Sequence, residues 1–297
     1  MRWEDFRSSD NVEDRRGSGG GGFQMPGGRG GLGIGTIIVV GLIGWALGIN
    51  PAILIGGLEA INGGGSPQQA APAPQRGRPT APPTDELGRF AANVLAQTED
   101  VWTELFRAEG KTYQDPKLVL FSGSTRSACG GAQSAMGPFY CPLDQKVYLD
   151  LTFFREMKNR FKAGGDFAQA YVIAHEVGHH VENLIGILPK VQQAQARASS
   201  RAEANNLSVR VELMADCLAG VWAYHANARF RILEPGDVEQ ALNAASAIGD
   251  DTLQKRSQGY AVPDSFTHGS SQQRVNWFTR GLKTGSMQQC NTFSGAI

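Results

Sequence analysis

A chain of 297 residues has room for one sizeable domain and something smaller. With 28 basic and 28 acidic side chains it carries no formal net charge and no long basic run, which argues against a nucleic-acid partner; 41% hydrophobic residues place it among globular proteins. The four cysteines, Cys129, Cys141, Cys217 and Cys290, include no C-x-x-C pair, which argues against a zinc ribbon or a thioredoxin-type motif.

In chain order, residues 1–29 are polar, glycine-rich and mixed in charge, with little from which to build a core, and read as a disordered terminus. Residues 30–58 then carry no charge at all. Their strongest part, "GLGIGTIIVVGLIGWALGI", would span about 28 Å as a helix, close to a bilayer core of about 30 Å. A buried core helix has nothing nearby to bury it, and a cleaved signal peptide would have an unusually long leader. The stretch therefore reads as a single membrane span. Arg15, Arg16 and Arg29 precede it and Glu59 follows, a bias that favours a cytoplasmic N-terminus and an extracytoplasmic domain. Residues 59–83 are a Pro/Gly/Ala-rich linker. The globular part is residues 84–297. Thr84 or Asp85 is an N-cap, followed by Phe90, Val94, Val101, Trp102 and Leu105 at helical spacing, with Gly110 as a stop. "KLVLFSG" reads as a strand, and "GPFYCPLDQKVYLDL" as two strands around a turn. From Phe153 onward the pattern is mostly helical. The expected fold class is α+β.

Three of the five histidines lie in "AHEVGHH", residues 174–180. His175-Glu176-Val177-Gly178-His179 is H-E-x-x-H. On a helix, His175 and His179 project from one face and can share one metal ion, while Glu176 sits about 100° round and reaches a metal-bound water without being a ligand. Zinc lowers the pKa of such a water to about 7 and the carboxylate takes its proton. Phe167, Tyr171, Ala174, Val181 and Leu184 supply an apolar stripe, and Asp166 is a candidate N-cap. Gly178 costs helix stability, so its smallness would admit something close to the metal.

A catalytic zinc needs a third protein ligand, and no third histidine follows at close spacing. The candidate is Glu212 in "VELMADCLAG". Asp216, one turn on, would accept the free N–H of His175 or His179 and fix its tautomer. Two acids inside so apolar a helix need partners. In "DSFTHGSSQQRVNWF", His268 would donate to the oxyanion of a tetrahedral intermediate, and Arg274 would hold His268 or the ligand carboxylate. His180 and His225 have no assigned role; His180 is read as a packed or surface residue. One Zn²⁺ per chain suits a His/His/Glu set with an open position.

Together "HEVGHH", "ELMADCLAG" and "FTHGSSQQR", with "GPFYCPLDQKVYLDLTFF" and "MRWEDFRSSDNVEDRRG", resemble the bacterial neutral zinc metallopeptidase family with an N-terminal membrane anchor. More distantly, H-E-x-x-H, E-x-x-x-D and T-H-x-x-S-x-x-R resemble the gluzincin and membrane-bound zincin peptidases. That resemblance implies His175, His179 and Glu212 as zinc ligands, Glu176 as base, Asp216 behind the ligands, His268 near the oxyanion and a polypeptide substrate. It departs at His268-Gly269, where the membrane-bound relatives usually have His-Pro. It also implies a zincin-like domain, with the active-site helix under a small sheet whose outer strand pairs with substrate; "GPFYC" or "KVYLDL" would be that strand. Cys129 and Cys141 would staple the preceding loop, and Cys217 and Cys290 would tie the ligand helix to the C-terminus. Two other functions compete: a cell-wall-directed amidase on the same metal site, for which no wall-binding repeat is visible, and a zinc-fold binding protein without turnover, against which the intact Glu176 stands.

Overall fold

The computed structural model describes residues 1–16, 82–160 and 163–297. The fold is α+β. In chain order its main elements are β1 (Val12–Asp14), α1 (Glu86–Ala108), β2 (Lys117–Phe121), β3 (Ser124–Ser127), β4 (Gly130–Gln133), β5 (Phe139–Cys141) and β6 (Lys146–Asp150), followed by α2 (Thr152–Arg160), α3 (Asp166–Leu184), α4 (Ile187–Gln195), α5 (Arg201–Phe230), α6 (Asp237–Ala247), α7 (Asp250–Gln258) and α8 (Ser271–Thr284).

β2 is apolar at four successive positions, and all four are buried. A strand reads this way when both of its faces are covered. β2 is internal to a sheet of order β1–β2–β6–β5, parallel to β1 and β6, while β5 is the antiparallel edge. Leu118, Leu120, Val147 and Leu149 face the main core. Val119, Phe121, Cys141 and Tyr148 face a smaller cluster beneath the β3–β4 hairpin. A disulfide between Cys129 and Cys141 joins that hairpin's turn to β5, and a second, Cys217–Cys290, ties α5 to the C-terminal segment.

The helical half packs on α3 and α5. α1 is capped by Asp85, whose side chain accepts from the Gly88 amide, and it ends just before Gly110 at φ +70°. α3 begins differently from expectation: Gly165 is its N-cap residue, and Asp166 is the first helical position. Asp166 accepts instead from the Trp3 indole N–H at 3.2 Å. Gly178 also serves another purpose. A Cβ there would lie 3.0 Å from the Ala215 carbonyl oxygen and 3.1 Å from Ala215 Cα, so the missing side chain lets α3 and α5 meet closely. A Cβ at Gly281 would lie 1.9 Å from the Cys217 carbonyl oxygen, so α8 approaches α5 in the same way.

The expectation of a disordered terminus over residues 1–29 is corrected for residues 1–16, which are an integral part of the domain. Trp3 is buried edge-on against Phe90, Phe6 meets Phe230, and Val12 enters the sheet beside Leu118. The polar residues between them supply partners for buried groups of α1. The Glu99 carboxylate accepts from the Ser9 hydroxyl, from Asn11 Nδ2 (2.9 Å) and from Arg7 (2.9 Å). Asn93 Nδ2 donates to the Trp3 carbonyl at 3.0 Å. A segment poor in apolar residues can fold this way because buried polar groups need partners as strictly as apolar ones need burial.

Arg16 bonds Asp85 at 2.6 Å, which ties the end of the N-terminal segment to the start of α1. Residues 17–81, which include the expected membrane span at 30–58 and nearly all of the linker at 59–83, lie outside the described residues. Among those described, no helix is long and apolar enough to cross a membrane. Residues 1–16 share one folded unit with residues 82–160 and 163–297.

Candidate metal centre

α3 presents His175 and His179 one turn apart, and α5 crosses it at Gly178 and Ala215, which brings Glu212 and Asp216 opposite the two imidazoles. His175 Nε2 lies 3.1 Å from Glu212 Oε2, and His179 Nε2 lies 3.6 Å from Glu212 Oε1. Atoms bound at about 2.0–2.1 Å to one tetrahedral ion sit about 3.3 Å apart, so the spacing fits a shared ion. Candidate ligand atoms of all three residues fall within 4.8 Å of one another. Side-chain exposures of 8, 12 and 18% for His175, His179 and Glu212 leave the cluster reachable from solvent rather than sealed.

Each imidazole is held from behind. His175 Nδ1 is 2.9 Å from Asp216 Oδ1, and His179 Nδ1 is 2.8 Å from Glu182 Oε2. Each Nδ1 therefore faces a carboxylate and each Nε2 faces Glu212; with Nδ1–H given to its carboxylate, each imidazole would have Nε2 to offer a metal. Asp216 is fully buried, and Arg274 clamps it with Nε on Oδ2 (2.8 Å) and Nη2 on Oδ1 (2.9 Å), while the Tyr171 hydroxyl also donates to it. Arg274 was expected to hold His268 or the ligand carboxylate. Its hydrogen bonds go instead to Asp216, behind the ligand, and to Tyr171.

The electrostatics follow from this crowding. Burial pushes His175 down, but the Asp216 and Glu212 carboxylates outweigh it and lift the imidazole to about 10. Burial pushes Asp216 up, and Arg274 and His175 bring it down to about 2. Burial likewise opposes ionisation of Glu212, but His268, His179 and His175 hold it well below the usual carboxylate range. The buried Glu176, adjacent to His175 on α3, is pushed up by desolvation.

His268 lies in the loop before α8. Although not within the ligand cluster, it is near enough to act on Glu212. Asp250, which the sequence reading passed over, organises that loop. One of its carboxylate oxygens accepts the backbone amides of Thr267 (2.7 Å), His268 (2.6 Å) and Gly269 (3.1 Å), and the other lies 3.4 Å from His268 Nδ1. The available signal was an acid heading a helix, which local spacing does not connect to a loop eighteen residues on.

His180 is away from the cluster. Its Nε2–H donates to the Gln114 carbonyl at 2.6 Å, so its Nδ1 is bare and accepts from the Tyr140 hydroxyl at 2.9 Å. Asn183 Nδ2 completes the set by donating to that hydroxyl at 3.1 Å. This network around the fully buried His180 ties edge strand β5 to α3. His225 lies at the far end of α5 and bonds the Gly285 carbonyl at 2.8 Å.

The family described as "Putative neutral zinc metallopeptidase" matches residues 1–293. The chain belongs to this family. Its membership implies zinc, and the His175–His179–Glu212 cluster is a donor set that suits that ion. The chain is 52% identical to the protein named "Uncharacterized protein YpfJ" of Escherichia coli (strain K12), over the full length of both. It is 47% identical over 195 residues to "Uncharacterized protein Rv2575" of Mycobacterium tuberculosis (strain ATCC 25618 / H37Rv), covering 62% of this chain and 64% of the relative. No solved structure gives a significant match.

Proposed function

We propose that the protein is a zinc-dependent peptidase acting on polypeptide chains. The observation that carries this reading is the convergence of the His175 and His179 Nε2 atoms on the Glu212 carboxylate, each imidazole backed by a buried acid. His175, His179 and Glu212 would hold the ion, which supplies a Lewis acid and makes a water nucleophilic near neutral pH. Glu176 would take the proton from that water and pass it to the leaving amine, a role that a desolvated carboxyl suits. Asp216, clamped by Arg274, holds His175 in its tautomer. His268, on the loop that Asp250 fixes, would donate to the oxyanion. β5, antiparallel at the sheet edge and tied to α3 through Tyr140 and His180, would pair with an extended substrate, the arrangement of a zincin-like domain.

The compartment we propose is extracytoplasmic, because two disulfides among four cysteines fit an oxidising environment. The charge-free stretch 30–58 would be the membrane contact, with residues 1–16 on the same side as the domain.

The test uses the full-length chain, because residues 1–16 are part of the fold. Zinc content and hydrolysis of an unfolded protein would be measured for wild type, Glu176→Gln and Glu212→Ala. One zinc per wild-type chain is expected. Glu176→Gln should keep the zinc and lose about 10²–10⁴-fold in rate, and Glu212→Ala should lose zinc. A wild type that takes up no metal, or an undiminished Glu176→Gln, would overturn the reading.

A further inference from the structure

The two histidines of the centre are backed unequally. Behind His175, the negative charge of Asp216 is answered by the Arg274 guanidinium through two hydrogen bonds. Behind His179 stands Glu182, three residues on along α3 and so on the same helix face. Glu182 has no exposed surface, and its Oε1 has no hydrogen-bond partner among the described residues. Among the described residues its ion-pair partner is the His179 imidazole, and no guanidinium or ammonium lies within pairing distance. A buried carboxylate with half of its acceptor capacity unused and only an imidazole beside it is costly, and a positive charge held on the far nitrogen of that imidazole would lower the cost.

We infer that Glu182 is a positioning residue for metal binding: it fixes His179 with Nε2 toward the ion, and its charge is the one that the ion compensates. The inference rests on the metal-site reading above. Glu182 acts through His179 and does not touch the ion.

A merely structural Glu182 and a metal-positioning one predict opposite results. In Glu182→Gln the side-chain volume and an acceptor for His179 Nδ1–H remain, and the charge is removed. The zinc dissociation constant would be measured on the full-length chain by chelator competition, with Co²⁺ substituted to record its visible spectrum. The unfolding midpoint of the metal-free form would be read in excess chelator. We expect zinc affinity to fall by about 10–100-fold, the Co²⁺ bands to shift, and the metal-free form to be at least as stable as wild type. Wild-type zinc affinity with an unchanged Co²⁺ spectrum would overturn the inference and leave the metal-site reading standing. So would a destabilised metal-free form that still binds zinc normally. A wild type that binds neither ion would remove the metal-site reading, and this inference with it.

Discussion

The first sixteen residues and the helix α3 are both buried against the same core, yet they are held by different means. α3 is a helix of nineteen residues with fourteen of them buried, and its local sequence supports it wherever it packs. The N-terminal segment has a single short strand and few apolar side chains, and its bonds reach residues more than eighty positions away, at Asn93, Glu99, Asp100 and Asp166. One region carries its own conformation into the fold. The other takes its conformation from its partners and in return satisfies polar groups that they would otherwise bury unpaired.

Removing residues 1–16 should give the largest effect. It uncovers Phe90, frees the edge of β2 and strips the buried Glu99 of its Ser9, Asn11 and Arg7 donors. We expect the remainder to lose cooperative unfolding, as read by near-ultraviolet circular dichroism and a urea titration, and Trp3→Ala alone to cost about 3 kcal/mol. A truncated chain with wild-type stability would mean that the segment merely adheres to the domain.

The next change asks how self-sufficient α3 is. Arg274→Ala takes the guanidinium clamp from the buried Asp216 and leaves its charge to be answered by His175 alone, and should cost about 3 kcal/mol in the same urea titration. Arg274→Lys should recover little, because a single ammonium does not reproduce the two-point clamp. A loss below about 1 kcal/mol would show that the helix tolerates the site without its counterion.

The smallest effect is a pH dependence. Burial lowers His180 to about 4, from an ordinary value near 6.5. Both states are neutral above 6.5, so the group adds no slope there. Between pH 6.5 and 4 the unfolded chain takes up a proton that the folded chain refuses, so stability falls as pH falls, by up to about 3 kcal/mol. Denaturation midpoints compared at pH 7 and 4.5 should show a smaller drop for His180→Asn than for wild type. Equal drops would assign the acid sensitivity to other groups.

The residues of the candidate metal centre could be grouped from the sequence because their spacing is local. His175 with His179, and Glu212 with Asp216, are each one helical turn apart, and a helix puts such pairs on one face whatever surrounds it. α1 with its Asp85 cap, β2 and the β5–β6 pair were readable for the same reason. The partners that cross between elements were not. Glu182 looks like an ordinary acid near a helix end until its burial is known. Asp250 acts on backbone amides that carry no sequence signal. Gly178 looked like a concession to the metal and is a contact with the backbone of α5. The terminus looked disordered because its composition is polar and glycine follows it, and composition does not record that Glu99 and Asn93 need donors.

By itself the sequence determined which side chains are presented together within each helix, because helical geometry converts spacing into direction. Only the tertiary structure decided which helix faces which, that Arg274 serves Asp216, that Glu182 is fully buried behind His179, and that residues 1–16 belong with residues 82–160 and 163–297. Those relations depend on distance and burial between segments far apart in the chain. They are settled by what each buried group needs once water is excluded, and that need appears only when the pieces are packed.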